Sequence, residues 1–81
     1  MRRGKSHQQT VSEKRREMFR SELAVAWRQA ELQGITDTED ERWLEARTEI
    51  LIDTLEIAIL LERDHVEVRT DFAAICEELQ L

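Results

Sequence analysis

The stretch "EILIDTLEIAILLERDH", Glu49 to His65, constrains this chain more than any other. Nine of the twelve residues from Ile50 to Leu61 are apolar, in a sequence that is 37% charged. A helix apolar over most of its circumference has to be covered over most of it. Only 81 residues are present to do the covering. A chain of that size forms one small domain, whose lone core supplies roughly 3–5 kcal/mol. Small domains commonly add disulfides, a metal or a second subunit. With one cysteine, Cys76, no internal disulfide can form. Two histidines leave little for a structural zinc site. The remaining staple is another subunit.

Helix breakers are nearly absent: there is no proline, and the two glycines are Gly4 and Gly34. Phe19, Leu23, Ala26, Trp27 and Ala30 fall at i, i+4, i+7, i+8 and i+11, one face of a helix. Thr10 and Glu13 have capping-box spacing, and Gly34 suits the left-handed residue after a helix. The first helix is expected over 11–33. Thr38 and Glu41 repeat the capping-box spacing, and acid crowds Asp37, Glu39 and Asp40, where a helix dipole favours it. A second helix should run from about 39 to at least 61. Its inner face is Trp43, Leu44, Ile50, Leu51, Leu55, Ala58 and Leu61; Ile52, Ile57, Ile59 and Leu60 lie outside that face and widen it. Val68, Phe72, Ile75, Cys76 and Leu79 mark a third helical stripe, which Asp64 could cap. The alternative is that residues 39–80 form one rod.

The expected fold is all-α: a helical hairpin plus a third C-terminal helix, packed as an oligomeric helical bundle. An α+β alternative has a short hairpin near residues 55–69. There Leu55-Glu56-Ile57 and Val66-Glu67-Val68 alternate, although no Asn-Gly or Asp-Gly turn joins them. Residues 1–9, "MRRGKSHQQ", are expected to be a disordered basic arm, and 10–81 a single helical domain. The arm lacks an apolar secretory core, and the longest apolar stretch is far shorter than a membrane span. A cytoplasmic protein is therefore expected.

Three functional readings follow. The first is a non-catalytic adaptor or regulator, acting by protein–protein interaction through a helical homodimer or higher assembly. Two amphipathic stripes can cover two sides of the second helix, and a symmetry mate would cover the third. Its core and dimer interface would comprise Ile50, Leu51, Leu55, Ile57, Ile59 and Leu61. Residues 35–81 carry four arginines against fourteen acids, which suits a basic protein partner. Imitation of DNA charge would need no more than this acidity. The second reading is a nucleic-acid-binding regulator. Residues 1–34 hold eight Lys/Arg against four Glu, and Arg2, Arg3, Lys5, Lys14, Arg15 and Arg16 could contact phosphates.

The third reading starts from Glu62-Arg63-Asp64-His65, an E-x-x-H that on a helix would put a carboxylate and an imidazole on one face. With Glu31 from the first helix, this resembles the ligand unit of ferritin-like di-iron bundles, including small encapsulated-ferritin-like proteins built from two-helix protomers. The resemblance covers Glu31, Glu62 and His65 alone. It implies a metal-binding oligomer whose site two chains share. A polar helix end where the core meets solvent is the plainer reading, so no metal, cofactor or enzymatic activity is expected. Cys76 lies on an apolar stripe without a neighbouring base and reads as a structural thiol. Ser12 and Ser21 lack a base as well. Trp27 and Trp43 flank the Gly34 turn and are expected to pack on each other.

Overall fold

A computed structural model describes the backbone of residues 3–81 and the side chains from Val11 onward. Helix α1 spans Arg3–Leu32, α2 spans Glu41–Leu60 and α3 spans His65–Leu79. The chain is all-α, with three packed helices and no strand among the described residues. The β-hairpin alternative is thereby overturned. Leu55–Ile57 lies inside α2 and Val66–Val68 inside α3, and the turn between them is a helix stop followed by a cap. The single-rod alternative falls for the same reason.

Helix α1 starts earlier than the Thr10 capping spacing suggests. Nothing in the preceding residues breaks a helix except Gly4, and the backbone runs helical through Thr10. Residues 1 and 2, and the side chains of 3–10, lie outside the described part. Of the expected disordered arm over 1–9, residues 1 and 2 lie outside the described part and the backbone of 3–9 belongs to α1.

The end of α1 follows the expectation for Gly34. Gly34 has φ +92°. The Ile35 amide donates to the Ala30 carbonyl at 3.0 Å, and the Gly34 amide to the Glu31 carbonyl at 3.0 Å. These are the two hydrogen bonds of a Schellman stop, and Ile35 and Ala30 supply its buried apolar contact. A Cβ at Gly34 would meet nothing within 4 Å, so glycine serves the backbone angle there and not the space.

The cap of α2 differs from the one expected. Asp40, not Thr38, is the N-cap, and its carboxylate accepts from the Arg42 amide at 2.9 Å. Asp37 folds the preceding turn by accepting the Glu39 amide at 2.9 Å. With two aspartates in a row of polar residues, the one nearer the helix takes the cap.

Both other helix ends repeat the Schellman pattern without glycine. At the end of α2 the Arg63 amide donates to Ala58 at 2.8 Å and the Glu62 amide to Ile59 at 3.0 Å. Glu62 sits at φ 54°. At the end of α3 the Leu81 amide donates to Cys76 at 2.9 Å, with Gln80 at φ 58°. A residue with a Cβ is strained in this left-handed region, typically by about 1 kcal/mol or more. Glu62→Gly and Gln80→Gly are each expected to stabilise the fold by about 0.5–1 kcal/mol, raising the melting midpoint by several degrees. A lowered midpoint in both variants would show that the left-handed turns are not there.

Asp64 caps α3 as expected, accepting from the Val66 amide at 2.9 Å and the Glu67 amide at 3.4 Å. The three helices run up, down and up. Arg15 pairs with Glu67 and Arg20 with Glu78, so α1 and α3 point the same way. The core is Phe19, Leu23, Ala30, Ile35, Trp43, Ala58, Val68, Phe72 and Ile75. Phe19 meets Phe72 edge to face at 5.2 Å between ring centroids, and Trp27 meets Trp43 likewise at 5.0 Å. The tryptophan pair thus bridges the α1–α2 hairpin as its spacing from Gly34 implies. Among the described residues no helix is long and apolar enough to cross a membrane.

Candidate interaction surface

Helix α2 starts well covered and ends bare. Trp43 is fully buried beneath α1 and α3, and its Nε1 donates to the Leu81 carbonyl at 3.0 Å. Leu44, Ile50, Leu51 and Leu55 pack half-buried against the core, and Ala58 is buried. Beyond Ala58 the covering stops. Ile59 is 61% exposed, Leu60 81% and Leu61 59%. Ile57 and Ile52 on the outer side, and Val66 across the turn, are exposed as well.

The six residues read as core and dimer interface therefore divide. Ile50, Leu51 and Leu55 face their own chain, whereas Ile57, Ile59 and Leu61 face outward. Leu61, the C-cap residue with φ −93° and ψ 6°, belongs to the inner face by spacing yet is exposed. Ile52, Leu60 and Val66 join the exposed set. The first two lie outside the strict inner face of the helical wheel, and that is why their own core leaves them uncovered.

Val68, near the start of α3, shares the core with Ala58, whereas Ile52, Ile57, Ile59, Leu60, Leu61 and Val66 lie outside it. A burial of roughly 1.5–3 kcal/mol is available from each of these large side chains once something covers it. Five of the six are more than half exposed and Ile52 nearly so, and together they make an apolar area on the order of 500 Å², at the upper end for a monomer surface.

The basic residues of α1 take a different role from the phosphate contacts expected of them. Asp71 of α3 is only 2% exposed. Its carboxylate accepts from Arg15 Nη1 at 2.7 Å, Arg16 Nε at 2.9 Å and Ser12 Oγ at 3.1 Å. Arg15 also reaches Glu67 at 3.3 Å, and Arg20 grips Glu78 through two bonds, at 2.6 and 3.0 Å. Burial pushes the Asp71 carboxyl up, but the hydrogen bonds from Arg16, Arg15 and Ser12 outweigh it and hold the group below its ordinary range. Two of the six candidate nucleic-acid contacts, Arg15 and Arg16, are thus engaged in the α1–α3 seam. Lys14 is exposed, and the side chains of Arg2, Arg3 and Lys5 lie outside the described part.

This seam is a feature that sequence reading passed over. The signal was present: Val68, Asp71, Phe72 and Ile75 share one face at i, i+3, i+4 and i+7, so Asp71 stands on the buried stripe of α3. An acid there needs a cation facing it, and Arg15 and Arg16 are the nearest excess of positive charge on α1.

The E-x-x-H unit does not survive in the form its chemistry needs. Glu62 is a left-handed turn residue after α2, and His65 is the first residue of α3. The helical register that would place them on one face is broken between them. Among the described residues Glu31, Glu62 and His65 form no group fit to hold a metal ion. Cys76 is half-buried beside Arg47, and burial raises its thiol pKa, the nearby Arg47 charge and hydrogen bond opposing this. The thiol stays protonated at neutral pH. An open groove of about 420 Å³ lies over this pair, lined also by Leu44, Glu77 and Leu81.

Compared with protein-family models, with curated proteins and with solved structures, the chain matches none.

Proposed function

We propose that this chain is a small non-catalytic adaptor or regulatory module, acting by protein–protein interaction through a helical dimer. One observation carries the reading: the last turns of α2 present Ile57, Ile59, Leu60 and Leu61 to solvent in a chain otherwise rich in charge. Several large apolar side chains exposed at one helix end among charges are the ordinary mark of a protein interaction site. The rest of the surface adds to it. Helix α2 turns Glu41, Glu45, Glu49, Asp53 and Glu56 outward, a face suited to a basic protein. The nucleic-acid reading is weaker because Arg15 and Arg16 already neutralise Asp71.

An apolar-surface dye such as bis-ANS tests this reading. Dilute wild-type protein is expected to bind the dye, and Ile59→Glu/Leu60→Glu to lose most of that signal while its helical circular dichroism is unchanged. Both side chains are more than half exposed, so charging them leaves the core intact. A wild-type protein that neither binds the dye when dilute nor self-associates when concentrated would overturn the proposal.

A further inference from the structure

We propose that the occupant of the apolar end of α2 is a second copy of this chain, docked end on in a two-fold contact centred near Leu60. The inference rests on the interaction reading and names its partner. Two observations point to a copy and to this geometry.

The first is area. The exposed apolar set at the end of α2, Ile57, Ile59, Leu60 and Leu61 with Val66, amounts to something on the order of 400 Å². With a polar rim it approaches the roughly 800 Å² that each partner contributes to a standard stable interface. A contact of that size needs an apolar centre, and Ile57, Leu60 and Leu61 supply one at spacings i, i+3 and i+4.

The second is the distribution of charge. A two-fold contact sets each patch against itself, so its rim must carry both signs. The rim here does: Glu56, Glu62, Asp64 and Glu67 are exposed at this end of the chain, and so are Arg63 and Arg69. A rotation about Leu60 can bring acids of one copy onto arginines of the other. The first turns of α2 are different. Glu41, Glu45 and Glu49 border a groove of about 520 Å³ floored by Leu44, Thr48 and Ile52. A copy lying along the whole of α2 would set acid against acid, and that arrangement is unfavourable. The dimer contact is therefore confined to the end of the helix, and the acidic groove stays open in the assembly.

Light scattering of the full chain from about 1 to about 300 µM gives the mass. Wild type is expected to go from monomer to dimer, with no larger species. Ile59→Glu/Leu60→Glu should raise the dissociation constant at least about 100-fold, since four carboxylates would meet in one apolar centre. Placement is read by cross-linking in a Cys76→Ser background. Leu60→Cys, near the two-fold axis, should form a disulfide-linked dimer under oxidised glutathione, and Glu45→Cys should not. A dimer that persists in the double glutamate variant, or that cross-links through Glu45→Cys, would overturn the end-on contact. A wild type that stays monomeric at every concentration yet binds bis-ANS would overturn self-docking, and the helical dimer with it, and leave interaction with a different protein standing. A monomer that binds no dye would overturn both.

Discussion

Asp71→Ala is expected to cost about 3 kcal/mol of folding stability, more than half of what a chain this size has. The reason is asymmetry. Asp71 and its three donors form a satisfied network in the α1–α3 seam. Removing the carboxylate leaves the Arg15 side chain, 14% exposed, with only Glu67 at 3.3 Å. A buried cation without its partner is far costlier than the network is stabilising. Urea unfolding followed by circular dichroism reads the loss as a lower midpoint. By contrast Arg20→Ala breaks a pair of which both members are more than 40% exposed, and should cost at most about 1 kcal/mol. Equal costs for the two variants would mean that Asp71 is solvated.

The same group sets an acid limb. The carboxyl pKa is lowered in the folded state, so its contribution is complete above the ordinary carboxylate range. It fades as pH falls through the folded value. Wild type should lose stability from about pH 4 downward. Asp71→Asn should start less stable at pH 7 and lose less on acidification, so the two curves converge. Parallel curves would remove Asp71 as the source.

Trp43→Ala is expected to abolish cooperative unfolding altogether. Trp43 is wholly buried, stacks edge to face on Trp27 and hydrogen-bonds the Leu81 carbonyl. It ties all three helices together at one point. Truncation of a buried tryptophan typically costs 3–5 kcal/mol, which matches the total stability of about 5 kcal/mol. Trp43→Phe keeps the ring contact and loses the hydrogen bond and some volume. It should remain folded with about 2 kcal/mol less stability. A sharp thermal transition in the alanine variant would show that the hairpin does not depend on the tryptophan pair.

The parts of this fold that were legible in the sequence are those governed by local rules. Period alone separates Phe19, Leu23 and Ala30 from their polar neighbours, and they are buried. Gly34 ends α1 because its backbone angle admits little else. Asp64 divides α2 from α3 because its side chain offers two orphan amides a partner. The parts that were hidden depend on what lies across the chain. Glu62 and Gln80 end helices in a conformation that their residue type does not announce. Asp71 looks like any other acid until α1 is laid against α3. The apolar run from Ile50 to Leu61 plainly needs cover, but which of its residues the core reaches depends on how α1 and α3 lie against α2. Ile50, Leu51 and Leu55 pack against the core and Ile57, Ile59 and Leu61 are exposed, with the turn after α2 beginning at Leu61.

Carbene footprinting across a dilution series bears most directly on the apolar end of α2. Ile59 and Leu60 should label as strongly as exposed surface in dilute protein and become protected at high concentration, while Phe19 and Trp43 stay protected throughout. Protection of Ile59 and Leu60 at every concentration would mean that the chain covers them itself, and the interaction surface proposed here would not exist.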